Sequence, residues 1–268
     1  MTIPAPISAA APPRALSFDR AAAQYAAARP GYPPALLDAV EELSGRPLRG
    51  SRAVDVGAGT GIATRLLEAR GALVTAVEPG PGMAAELHRA LPSVPLVRGD
   101  GNRLPLAAAS ADLITYAQSW HWTDQASALP EALRVLRPGG ALALWWNVSD
   151  HSVPWIAAQG ARLARYLGAD AVAHGAPVSL SQGSGAHPEH LRRLPGGTLQ
   201  RLLPWARTVP VETHLANLAT HSAFLVRGAA AEEPTRRFFA EEYEHLAAHF
   251  PHGLVEERYV VDLRVVIR

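Results

Sequence analysis

Short apolar runs alternate with helix-length stretches through the amino-terminal half of the chain. The runs near 52–56, 73–77, 95–98, 111–117 and 141–146 read as strands, and the segments between them as helices. Strands and helices in alternation predict a mostly parallel sheet with helices on both faces. The carboxy-terminal half is less regular, with Leu199 to Pro210 and Val255 to Arg268 as candidates for the last two strands. Between Gly168 and Gly197 the chain is rich in Gly, Ala, Ser, His and Pro, and Ser179 to Gly185 carries almost no pattern. That stretch reads as a mobile insertion. No internal repeat is visible.

The first strand, Ala53 to Val56, breaks into Gly57-Ala58-Gly59-Thr60-Gly61 and then enters a helical stretch. Glycines at such a junction let the backbone bend sharply and come close to a ligand, and the following helix offers free N–H groups at its start. The second strand, Ala72 to Val77, ends at Glu78, where a carboxylate can accept hydrogen bonds from both hydroxyls of a ribose. Two readings compete with a nucleotide-cofactor loop. One is a plain tight turn with a solvated Glu78. The other is a dinucleotide dehydrogenase, whose fingerprint asks for Gly or Ala where this chain has Ile62.

The GxGxG spacing with Glu78 downstream resembles the class I S-adenosylmethionine-dependent methyltransferases. Further stretches fit the same resemblance: Gly99-Asp100-Gly101 after the third strand, and Arg137-Pro138-Gly139-Gly140 leading into the strand Ala141 to Trp146. Gln118-Ser119-Trp120-His121-Trp122 after the fourth strand, and the element Phe18 to Pro34, are similar to the trans-aconitate methyltransferase-like subgroup. The resemblance implies a Rossmann-like α/β fold with a seven-stranded, mostly parallel sheet, the last two strands pairing antiparallel at one edge. It implies S-adenosylmethionine as cofactor, held by Tyr25, Arg29, Asp55, Gly57, Ala58, Gly59, Gly61, Glu78, Pro79, Met83, Asp100, Gly101 and Gln118. Asp100 is expected to accept from the adenine amino group. Tyr25 and Arg29 lie four apart and share a helix face, so Arg29 can hold the carboxylate of the cofactor's methionine part; the bland reading is a solvated surface arginine.

Trp120, Trp122, Trp145 and Trp146 fall at the carboxyl ends of the fourth and fifth strands, where an open α/β sheet forms its ligand crevice. Trp120, Trp122 and Trp146 are the expected substrate walls, whereas Trp145 reads as packing between helix and sheet. His121 is the candidate base, since imidazole titrates near neutrality; orienting the loop or contacting substrate is the equal alternative. His151 and Asp150, just beyond the fifth strand, are weaker candidates, with His151 assigned to substrate. His214 and His221 lie seven apart on an expected helix and are assigned to substrate. His245 and His249 have metal-ligand spacing but no surrounding HExxH pattern, and no metal site is expected.

Composition narrows the chemistry. At 268 residues and 48% hydrophobic content, the chain reads as one α/β domain: an amino-terminal helical segment 1–50, a cofactor-binding core 51–150, and a cap with the final strands 151–268. A net charge of +1 without blocks of like charge argues against nucleic acid as a partner. Prolines interrupt the first residues and no apolar window reaches membrane-spanning length, so neither a signal peptide nor a membrane association is expected. Cysteine is absent, which removes thiol nucleophiles and disulfides and suits a cytoplasmic protein. Lysine is absent too, and with it Schiff-base chemistry. The function expected is methylation of a small molecule, a specialised metabolite in the subgroup resemblance, at oxygen, nitrogen or carbon. A non-methylating use of the same cofactor stays open, and oligomeric state is unreadable.

Overall fold

The computed structural model describes residues 18, 19, 21–168, 197–225 and 231–268. Along the chain come α1 (Ala22–Ala28), α2 (Ala35–Ser44), β1 (Arg52–Val56), α3 (Ile62–Ala69), β2 (Leu73–Glu78), α4 (Pro81–Ala90), β3 (Leu96–Arg98) and β4 (Ala111–Ala117). After a 3-10 turn over Trp120–Trp122 follow α5 (Gln125–Val135), β5 (Leu136–Ser149), α6 (Pro154–Leu167), β6 (Leu199–Pro210), α7 (Val211–Ala219), α8 (Ser222–Leu225), α9 (Glu232–His249) and β7 (Leu254–Ile267). The insertion expected between Gly168 and Gly197 lies, but for its end residues, outside the described residues.

The seven strands form one sheet in the order β3-β2-β1-β4-β5-β7-β6. Strands β1 to β5 run parallel, whereas β7 is inserted antiparallel between β5 and β6. This is the expected seven-stranded α/β fold. Because successive side chains on a strand point to opposite faces, each strand feeds two cores. Ala53, Leu113, Ala143 and Trp145 join α2, α3 and α4 on one face; Val54, Ile114, Leu144 and Trp146 join α5 on the other.

The fifth strand starts earlier than its sequence suggests. Gly139 has φ +72° and still donates its N–H to the Arg268 carbonyl, while the Arg268 N–H returns to Gly140, so the Pro-Gly-Gly kink extends the ladder instead of ending it. The matching irregularity falls on β4 between Ala111 and Leu113. No helix among the described residues is long and apolar enough to cross a membrane.

Candidate active site

The crevice at the carboxyl ends of the parallel strands starts with the glycine loop. Gly57, Gly59 and Gly61 all have positive φ, at 64°, 58° and 87°. They differ in what surrounds them. A Cβ on Gly57 would stand 2.5 Å from the Ser119 Cβ, whereas one on Gly59 meets nothing within 4 Å. Gly57 is therefore the close-packing position, and Gly59 faces open space. Gly57→Ala is expected to lower folding stability by at least about 2 kcal/mol, through the left-handed backbone and the overlap together. Gly59→Ala is expected to cost about 1 kcal/mol and to act on cofactor affinity instead. Chemical denaturation alongside calorimetry separates the two effects.

Ser119 Oγ donates to the Val56 carbonyl at 2.6 Å, so the loop after β4 is mated to the glycine loop through a residue that sequence reasoning passed over. Gln118, immediately before it, takes φ +59°, a conformation rare for a side-chain-bearing residue. Its N–H donates to the Trp145 carbonyl at 2.9 Å, which holds it there.

Glu78 ends β2 and is buried, with one carboxylate oxygen accepting from the Gly59 N–H and the other from the Gly80 N–H, both at 2.8 Å. Burial raises its pKa, the two N–H groups oppose that rise, and the carboxylates of Asp19 and Asp55 add to it. Each oxygen keeps a further lone pair able to accept from another donor. Asp55 lies beneath the loop instead of facing the crevice: it is fully buried and accepts from Thr64 Oγ1 at 2.6 Å and Thr115 Oγ1 at 2.9 Å. Burial pushes it up to about 6 against those two hydroxyls. Its part is to brace β1, α3 and β4 under the glycine loop. Thr60 Oγ1, in the loop itself, is buried with no hydrogen-bond partner among the described residues.

Asp19 was not picked out in the sequence. Its Oδ1 accepts from the N–H groups of Gly82 and Met83 at 3.0 and 3.2 Å, capping α4 from a distant segment. The amino-terminal segment thereby lies against Gly80 and Gly82, where added Cβ atoms would stand 2.5 and 2.6 Å from Asp19. Met83 is buried and Pro79 half-buried beside this contact. Asp100 is exposed, its Oδ1 turned back to the Asn102 N–H at 2.7 Å. Gly101 is buried against Tyr116, 2.9 Å from where its Cβ would stand. Ala58 is buried in the loop.

Arg29 caps the end of α1, its guanidinium over the Tyr25 ring at 4.8 Å and its Nη2 donating to the Thr220 carbonyl at 3.0 Å. That carbonyl closes α7, so the cation sits at the negative end of a helix. Arg29 Nε is buried without a hydrogen-bond partner among the described residues. Arg29 also bears electrostatically on His121 and His221. Phe18 packs edge-on against both Tyr25 and Trp122, at 5.8 and 5.6 Å between centroids, which brings the amino-terminal element over the loop after β4.

The tryptophans divide differently from expectation. Trp122 is half-buried at this aromatic contact. Trp120 is fully buried, edge-on to Tyr116 at 4.7 Å, and fills the core beneath the loop. Trp146 is also buried, with its indole N–H donating to His121 Nδ1 at 3.2 Å. Strand alternation turns Trp146 into the α5 face, so it reaches the crevice only through His121. Trp145 packs in the opposite core, as expected.

His121 is exposed as a residue, but protein packs around its ring on the Trp146 side. That surrounding, with Arg29 adding to it, pushes its pKa down to about 4. His221 is lowered by the same two causes, with His214 contributing. His151 is half-buried against Gly160 of α6.

His214 is not available to a substrate. It is buried, with Nδ1 at 2.7 Å from Glu257 Oε1 and Nε2 at 3.0 Å from Gln159 Oε1. Both ring nitrogens are thus taken up in a buried chain that runs from Arg162 through Glu242, Gln159, His214 and Glu257 to Arg207, whose Nη2 donates to the Ala28 carbonyl at 2.9 Å. Nor do His214 and His221 share one helix. Thr220 turns its hydroxyl onto the Asn217 carbonyl at 2.6 Å and ends α7, leaving His221 in the turn before α8.

Residues 54–144 match the family described as a methyltransferase domain. An uncharacterised methyltransferase of Mycobacterium tuberculosis is 43% identical over 151 residues, covering 56% of this chain and 60% of that protein. A demethylmenaquinone methyltransferase of Corynebacterium kroppenstedtii is 40% identical over 112 residues, 41% of this chain and 46% of the relative. The chain thus spans about half to 60% of the length of these curated relatives. A solved structure of a proposed type II methyltransferase from Anaeromyxobacter dehalogenans is 27% identical with a TM-score of 0.61, covering 90% of this chain and 96% of its own. The YcgJ protein of Bacillus subtilis, at 17% identity and TM-score 0.52 over 87% of this chain and 97% of its own, shares the fold. With the glycine loop, the buried Glu78 and the β7 insertion already in view, these likenesses support a methyltransferase domain of the class I S-adenosylmethionine-dependent type, its family match running over residues 54–144.

Proposed function

We propose that this chain transfers the methyl group of S-adenosylmethionine to a small molecule, with a carboxylate or hydroxyl oxygen favoured over nitrogen or carbon. The observation that carries the reading is Glu78, a buried carboxylate pinned to Gly59 of the glycine loop, with the Arg29 charge felt at both His121 and His221. The orphaned Thr60 hydroxyl and the open space over Gly59 fit a ligand there. The assigned residues divide accordingly: Glu78 for the ribose, Asp100 for the adenine, Tyr25 and Arg29 for the methionine end, and Trp122, His121 and His221 for the acceptor. When bound, the cofactor supplies a methyl already activated by positive sulfur, so the chain's own task is alignment and exclusion of water.

The names of two relatives, the demethylmenaquinone methyltransferase and a malonyl-[acyl-carrier protein] O-methyltransferase of Dechloromonas aromatica, support a small or carrier-borne acceptor. The Trp-His-Trp segment and the amino-terminal element support the trans-aconitate methyltransferase-like subgroup and a specialised metabolite as acceptor. In this reading 1–50, 51–150 and 151–268 work as one catalytic unit in the cytoplasm, without nucleic acid or membrane partners.

Incubation with S-adenosylmethionine and a panel of small carboxylic acids, phenols and amines tests it by mass spectrometry. Equal release of S-adenosylhomocysteine and methylated product is expected from at least one acceptor. Consumption of the cofactor without a methylated product would shift the reading to non-methylating chemistry.

A further inference from the structure

His121 can be a base only if it has a nitrogen free to take a proton. Indole nitrogen donates and never accepts, so the Trp146 Nε1 contact at 3.2 Å makes His121 Nδ1 an acceptor. A neutral imidazole that accepts at Nδ1 carries its proton on Nε2. Trp146 is buried and held by the core on the α5 face, which fixes the indole N–H and through it the tautomer. The charged group bearing on the ring is Arg29, and together with burial it disfavours a second proton. His221, the other imidazole here, has its charged form disfavoured as well.

We propose that Trp146 is a positioning residue that locks His121 as the Nε2–H tautomer, so that His121 serves the acceptor as a hydrogen-bond donor and not as a base. The inference rests on the methyl-transfer reading for its consequence but not for the tautomer itself. With His121 Nδ1 occupied, the acceptor loses its proton to water before attack and binds as an oxyanion, receiving the Nε2–H and the positive field of Arg29. An oxyanion lone pair then forms the bond to the methyl carbon, the carbon–sulfur bond breaks with its pair passing to sulfur, and S-adenosylmethionine leaves as neutral-sulfur S-adenosylhomocysteine. No proton is transferred to the protein in that step.

Nitrogen-15 spectra of the histidine rings in ligand-free protein read the tautomer directly, with His121 assigned by its disappearance in His121→Gln. An unprotonated Nδ1 with a protonated Nε2 is expected near neutral pH, shifting to a tautomer mixture in Trp146→Phe. A protonated Nδ1 in the wild type overturns the proposal, whether or not any acceptor turns over. Activity gives the second arm. Glutamine places an amide N–H near the Nε2 position but cannot act as a base, so His121→Gln is expected to recover at least tenfold of the turnover that His121→Ala loses, a loss of about 100-fold. Equal loss in both variants contradicts the donor role. If the wild type turns over no acceptor, methyl transfer itself fails, while the ring spectra still decide the tautomer.

Discussion

Glu78→Ala is expected to weaken S-adenosylmethionine binding by about 100-fold, the loss of about 3 kcal/mol from two hydrogen bonds to a charged acceptor. The carboxylate is the only assigned ribose ligand, and its two oxygens also pin Gly59 and Gly80. Alanine therefore removes the proposed ribose contact and frees the Gly59 and Gly80 N–H groups that the carboxylate pins. Glu78→Gln keeps one accepting oxygen but turns an amide N–H toward a backbone N–H, so its affinity should fall between the two. Burial raises the pKa of Glu78, so protonation begins above the ordinary carboxylate range. Cofactor affinity should accordingly decline on mild acidification, and this pH dependence should vanish in Glu78→Ala. Calorimetry across pH measures both effects; wild-type affinity in the alanine variant would remove Glu78 from the cofactor site.

Glu257→Ala should produce the largest loss of stability, about 3–5 kcal/mol, because it strips the half-buried Arg207 and the buried His214 of the carboxylate that both contact. Glu257 is 2% exposed and accepts from Arg207 Nε at 2.5 Å as well as from His214. The damage should reach the candidate site, since Arg207 also holds the Ala28 carbonyl at the end of α1, next to Arg29. Burial works to raise the pKa of Glu257, yet His214 and Arg207 hold it down at about 2 against an ordinary 4.5. A carboxylate depressed on folding contributes stability above its unfolded value that is lost as pH falls toward the folded one. Wild-type protein should therefore lose stability steeply between about pH 4.5 and 2, and Glu257→Gln should show a shallower slope in that window. Urea denaturation over this range reads the difference, and an unchanged slope would separate Glu257 from the acid response.

What the sequence made legible was local. The apolar runs placed β1 to β4, because buried parallel strands carry their signal in a few consecutive residues. The glycine loop and Glu78 were legible for the same reason: a turn with positive φ and a strand-end carboxylate are decided within a handful of positions. The bounds of the last two strands were legible, but the lodging of β7 between β5 and β6 is a long-range pairing without a local mark.

Side-chain direction was where the reading of individual residues gave way. Trp120 and Trp146 sit in the right loop and strand, but the 3-10 turn buries Trp120 and the pleat turns Trp146 into the same core on the α5 face. His214 looked like a substrate ligand because nothing nearby in sequence announces Glu257 and Gln159, each more than forty residues away. Asp19 caps a helix that starts 62 residues later, and Ser119 earns its place only by meeting Gly57. Arg29 and Tyr25 were legible as a pair because helical spacing alone sets their contact.

The most direct measurement is a crystal structure of the protein with S-adenosylhomocysteine. The ribose hydroxyls are expected on the Glu78 carboxylate, the nucleoside over Gly59, and the sulfur facing Arg29, His121 and His221. A nucleoside bound elsewhere, or one seated over the glycine loop with its sulfur turned away from those three side chains, would contradict that placement.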